Sequence, residues 1–80
     1  MGPENLRSRP FMQDRARRAE VGRHAALLTD FDCSIAGPVV RNDPDSAYIV
    51  VRDRRVPSRQ LAVTIDCIQA FRFITKPDRS

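Results

Sequence analysis

Eighty residues bound the chain to one small domain, and a domain of this size buries only about 60–65% of the surface its unfolded form exposes. Leu, Ile, Val and Phe supply 20 of the 80 residues, above the level of roughly 20% at which disorder becomes the default. The formal charge is +4 with a pI near 10.0; no run approaches the ~18 apolar residues of a membrane span, and no secretory leader opens the chain, which together point to a non-membrane, cytoplasmic protein.

Val and Ile outnumber Leu twelve to four, and that excess of branched residues favours sheet over helix. Residues 1–13, with two prolines and a glycine, read as a flexible N-terminal tail. Asp14 is placed to cap a short helical turn over residues 14–20, which Gly22 keeps from extending far. His24 to Leu28 is expected as a strand and Asp30 to Asp32 as the turn after it. Cys33–Ile35 and Val39–Arg41 read as two short extended pieces, broken by Ala36-Gly37-Pro38.

A second corner at Asn42-Asp43-Pro44-Asp45-Ser46 leads into the clearest strand, Ala47 to Arg52. Its apolar residues fall on both faces, as in the middle of a sheet or a barrel wall. Asp53-Arg54-Arg55 is a charged turn. Leu61, Val63 and Ile65 alternate with Ala62 and Thr64 as a strand with one inward face. Cys67 to Thr75 completes the set, with Phe71 and Phe73 on one face and Arg72 on the other. A helix over 58–74, capped by Ser58, is the competing reading, disfavoured by its branched content. The tail from Lys76 reads as loose. The expected architecture is a single mostly β domain over 14–75, a small antiparallel barrel or strongly twisted sheet, with at most a short helical turn near its start.

Charge is unevenly spread. Residues 1–24 carry six arginines against three acids, residues 25–51 one arginine against four aspartates, and residues 52–80 seven basic groups against three aspartates. Thirteen of the fourteen basic residues are arginine, whose planar fork suits phosphate and base recognition. Two clusters result, Arg15-Arg17-Arg18 with Arg23, and Arg52-Arg54-Arg55 with Arg59. Convergent, they make a site for an anion or for nucleic acid; separate, they are solvated turns.

Catalysis finds no support. His24 is the single histidine and has no partnered nucleophile in its sequence context, and the aspartates are scattered through turns, where they cap backbone. Two cysteines without CxxC or paired-histidine spacing do not make a zinc site and read as reduced, buried thiols.

The order of motifs resembles the PilZ domain family: Arg17-Arg18-Ala19-Glu20, an apolar strand, an Asp/Asn-x-Ser-x-x-Gly element, a second apolar strand, then Val56-Pro57 before Leu61-Ala62-Val63. In one register Asp32-Cys33-Ser34-Ile35-Ala36-Gly37 supplies that element. In the other, Val40 to Ala47 takes its place and the flanks fit better. Members of the family are small β-barrels that bind cyclic di-GMP. The resemblance implies that Arg17, Arg18 and Arg23 grip guanine edges and phosphates, and that Asp32 with Ser34, or Asn42, holds a second guanine. It implies a non-enzymatic regulatory module without a resident cofactor, whose cyclic di-GMP binding is weak or lost and which acts through a protein partner on an open sheet edge. The alternative is a small basic RNA- or DNA-binding barrel.

Overall fold

The computed structural model describes residues 8–76. Helix α1 (Arg9–Arg17) is followed by strands β1 (His24–Thr29), β2 (Ser34–Asp43), β3 (Tyr48–Arg52) and β4 (Gln60–Thr64). A single 3-10 turn (Ile65–Cys67) then leads into β5 (Ile68–Phe73). All five strands form one antiparallel sheet in the order β4-β3-β2-β1-β5. The sheet is open, a mostly β fold with one short helix near its start. Its two edge strands, β4 and β5, are consecutive in the chain and joined by only three residues, so the sheet must coil to bring its edges to a common corner.

The core follows the two-residue period of the strands. Ala25, Leu27 and Thr29 of β1 are buried while His24, Ala26 and Leu28 face outward. Ile49 and Val51 of β3 are fully buried, and Val63 and Ile65 meet them from the β4 end. In β5 a register irregularity beside Leu28 and Thr29 turns Ile68 inward along with Phe71. Phe71 and Phe73 lie on one side in a T-shaped pair, 5.3 Å between centroids.

Two sequence expectations change. The first concerns β2, which runs unbroken through Ala36-Gly37-Pro38. Val39 donates to the Arg23 carbonyl and accepts from Gly22 N–H. Pro38, one residue out of phase, therefore directs its donor-free nitrogen to the other side, away from β1. Gly37 serves close approach rather than a turn: an added Cβ would collide with the carbonyl oxygen of Arg52 and lie 2.8 Å from the Arg54 nitrogen. Register with β3 shifts between Val39 and Arg41, leaving Val40 as an extra residue. The strand bends there, its first half pairing with β1 and its second with β3.

The second concerns α1, which begins at Arg9 rather than near Asp14, so the segment read as tail is helical from residue 9; residues 1–7 lie outside the described residues. Ser8 caps it, its hydroxyl accepting from Phe11 N–H at 3.4 Å. Pro10 sits in the first turn, where a missing N–H costs no hydrogen bond. Ala16 and Ala19 bury completely or nearly so against the core. Gln13 reaches the carbonyls of Asp66 and Ile68, and Arg9 grips Asp30 with both guanidinium nitrogens. The helix thus lies along β5 and over the 3-10 turn.

Candidate nucleic-acid interface

The outward residues of β5, β1 and β2 stand in rows across the sheet. Arg72, Ala26 and Ala36 make one row; Ala70, Leu28 and Ser34 make the next. Three alanines on a sheet surface leave a hollow where larger side chains would stand. The hollow is three strands across, about 10 Å.

On the β2 side the loop between β3 and β4 rises over it, docked by Arg54 N–H on the Ala36 carbonyl at 2.9 Å. The result is a groove of about 600 Å³. Arg54, Arg55 and Arg59 line it from the loop, and Arg72 from β5, so cations flank a small-residue floor on both sides.

Asp53 organises the loop. One carboxylate oxygen accepts from Arg55 N–H at 2.8 Å and Val56 N–H at 3.3 Å, and the other accepts from the Arg59 guanidinium at 2.8 Å. The Arg55 N–H and the Arg59 side chain hold its pKa below the ordinary carboxylate value. Asp53 is the single acid among the groove-lining residues and is already paired with Arg59. Arg54 donates to the Thr75 carbonyl. Among the described residues, Arg55 and Arg72 have no carboxylate within ion-pair distance. The groove is therefore rich in cations, with two guanidinium groups that meet no carboxylate among the described residues.

Beyond its Arg72 row, His24 of β1 stands level with Pro38 of β2. Burial first, then the positive charges of Arg54 and Lys76, lower the His24 pKa. Its Nδ1 is buried without a hydrogen-bond partner among the described residues.

The residues singled out by the PilZ resemblance fall in different places. Arg17 and Arg18 are exposed at the C-terminal end of α1, where basic side chains complement the helix dipole. Arg18 pairs with Asp14 at 3.0 Å. Arg23 stacks 4.0 Å from the centre of the Phe73 ring, with Arg15 at 5.3 Å from the same ring. Asn42 caps the helix: its Nδ2 donates to the carbonyls of Ala16, Arg17 and Ala19 at 3.2, 3.2 and 2.7 Å.

Arg17, Arg18 and Asn42 are thus brought to one end of α1. Asp32 lies at the far end of β1 from Arg23, about 20 Å along the strand. It is exposed and takes a left-handed conformation, φ 61°, in the turn between β1 and β2. Ser34 is exposed at the groove. Of the six, only Ser34 lines the groove.

The sequence did signal three groove arginines through the Arg52-Arg54-Arg55 and Arg59 cluster. Arg72 carried only the signal of its outward phase between two inward phenylalanines. The alanine floor carried none, because alanine reads equally as core, surface or helix.

Cys33 and Cys67 are free and only half-buried, not the buried pair expected, and the Thr64 hydroxyl donates to Cys67 Sγ at 3.2 Å. No group of three metal-ligating side chains occurs, and no helix is long and apolar enough to cross a membrane, among the described residues. Comparison with protein-family models, curated proteins and solved structures gave no match.

Proposed function

We propose that the chain is a non-enzymatic nucleic-acid-binding module, and that the groove over β5, β1 and β2 receives the phosphate backbone. One observation carries this reading: four arginines line a recess floored by alanines among larger apolar side chains, and Asp53, the one acid among its described lining residues, is already paired with Arg59. Guanidinium groups on both sides of a trough suit a linear polyanion that enters lengthwise. Arg55 and Arg72, which meet no carboxylate among the described residues, contact phosphates without first breaking an ion pair to any of them.

The test is binding of a labelled oligonucleotide across a salt series. Each neutralised phosphate contributes about −0.7 to −0.9 to the slope of log affinity against log salt concentration. Arg55→Gln with Arg72→Gln is expected to weaken binding and to flatten that slope by about 1.5. A wild-type affinity that is absent, or indifferent to salt, removes the proposal.

A second reading follows from the resemblance to PilZ domains, with cyclic di-GMP as ligand and a protein partner at a sheet edge. What supports it is the meeting of exposed Arg17 and Arg18 with Asn42 at the end of α1; β4 offers the edge. Calorimetric titration with cyclic di-GMP, on wild type and on Arg17→Ala/Arg18→Ala, decides it. No heat from the wild type at saturating ligand dismisses it.

A further inference from the structure

The groove-lining residues Leu28 and Ser34 flank the turn that joins β1 to β2, and that turn carries Phe31, the one large aromatic side chain exposed to solvent among the described residues, at 62%. A single exposed phenyl is ordinary on a protein surface, so its setting matters more than its exposure. Here its backbone is held firmly in place. The hydroxyl of Thr29, itself wholly buried, accepts from Phe31 N–H at 3.3 Å and Cys33 N–H at 3.2 Å. Asp32 N–H returns to the Thr29 carbonyl, and Asp30 N–H donates to the Cys67 carbonyl. Asp30 is further clamped by Arg9. The ring is thus presented on a braced turn, and the row of Leu28 and Ser34, part of the groove lining, leads up to it.

We infer that the groove's ligand is single-stranded nucleic acid, with the backbone between the loop arginines and Arg72 and a base stacked on Phe31. The inference rests on the nucleic-acid reading above and adds the strandedness and the stacking residue. Three features favour one strand over a duplex. The trough, about 10 Å across, is recessed, so a duplex would touch its rims and miss its floor. A base is available to an aromatic face only when it is free of a partner. Stacking needs no sequence-specific donors, and across the two rows of the floor only Ser34 carries an uncharged side-chain donor.

The experiment compares a fluorescein-labelled oligothymidylate with the same strand annealed to its complement. Both are titrated with wild type, Phe31→Ala, Phe31→Tyr and Arg55→Gln/Arg72→Gln, with circular dichroism confirming the fold of each. Wild type is expected to bind the single strand about ten-fold more tightly than the duplex. Phe31→Ala weakens single-strand binding by about ten-fold at an unchanged salt slope, and Phe31→Tyr restores it. The arginine variant flattens the slope.

Equal affinity of the wild type for both probes overturns the inference. So does a Phe31→Ala variant that binds the single strand as wild type does while the arginine variant still flattens the slope; the nucleic-acid reading then stands and only the stacking claim falls. Failure of wild type to bind either probe removes both.

Discussion

Asn42 Nδ2 lies 2.7 Å from the carbonyl oxygen of Ala19, closing the end of α1 from a strand more than twenty residues away in the chain. The same amide reaches Ala16 and Arg17. The last carbonyls of a helix have no partner within it, and here one side chain from β2 serves two of them, Ala16 and Arg17, together with the Ala19 carbonyl just beyond. A helix of nine residues is too short to persist alone in water, so α1 depends on this clamp and on the burial of Ala16 and Ala19. Asn42→Ala is expected to destabilise the fold by about 1–3 kcal/mol, read as a lower urea midpoint. Asn42→Asp is expected to do so as well, because a carboxylate faces the negative end of the helix dipole. Unchanged midpoints for both variants refute the capping role.

Gly37 offers a test of the bent strand. Its missing side chain is what lets the backbone of Arg52 and Arg54 pass beside β2. Even one methyl group requires backbone displacement there, so Gly37→Ala is expected to lower stability by about 1–3 kcal/mol or more. Gly22, by contrast, has nothing within 4 Å of an added Cβ but a positive φ of 96°. Gly22→Ala therefore carries conformational strain alone, about 1 kcal/mol. The two alanine variants, compared by chemical denaturation, should rank in that order.

Asp53 separates organisation from charge. Asp53→Ala raises the net positive charge, so a groove acting as a diffuse cationic surface predicts tighter nucleic-acid binding. The structure predicts the opposite, about three-fold weaker binding, because the carboxylate fixes Arg55, Val56 and Arg59 in one loop conformation. Its depressed pKa adds stability that is present above the unfolded value near 3.8 and lost as pH falls through the lower folded value. The loop therefore keeps this contribution through the neutral and mildly acidic range and loses it only below about 3.8.

His24 acts in a separate and milder window. Its folded pKa lies below the ordinary 6.5, so the unfolded chain takes up the proton first. Stability is full above pH 6.5 and declines as pH falls through that value toward the folded one. Urea midpoints measured from pH 8 to about 5 should fall in the wild type and fall less in His24→Gln over the same window. An imidazole resonance titrating above 6.5 in the folded protein contradicts this account.

Residues 61–65 were legible from their alternation, 47–52 from a dense run of branched residues on both faces, and 24–28 only from the turn cluster that follows an apolar run. Proline and glycine misled at positions 36–38: their chemistry usually ends a strand, yet here one faces away from β1 and the other permits a crossing. The start of α1 was hidden because Ser8 and Pro10 signal helix only in company with the packing that follows. The groove was half visible. Its arginines announced themselves as a cluster, whereas its floor depends on cross-strand neighbours Ala26, Ala36 and Ala70, a relationship fixed by register rather than by local sequence.

Because β2 gives its first five residues to β1 and its last to β3, it is the common wall of both halves of the sheet. Neither half has a private backbone to retreat to. Heat or denaturant should therefore dissolve the molecule in one step, and any excised fragment ending before β3 forfeits the partner of its own longest strand.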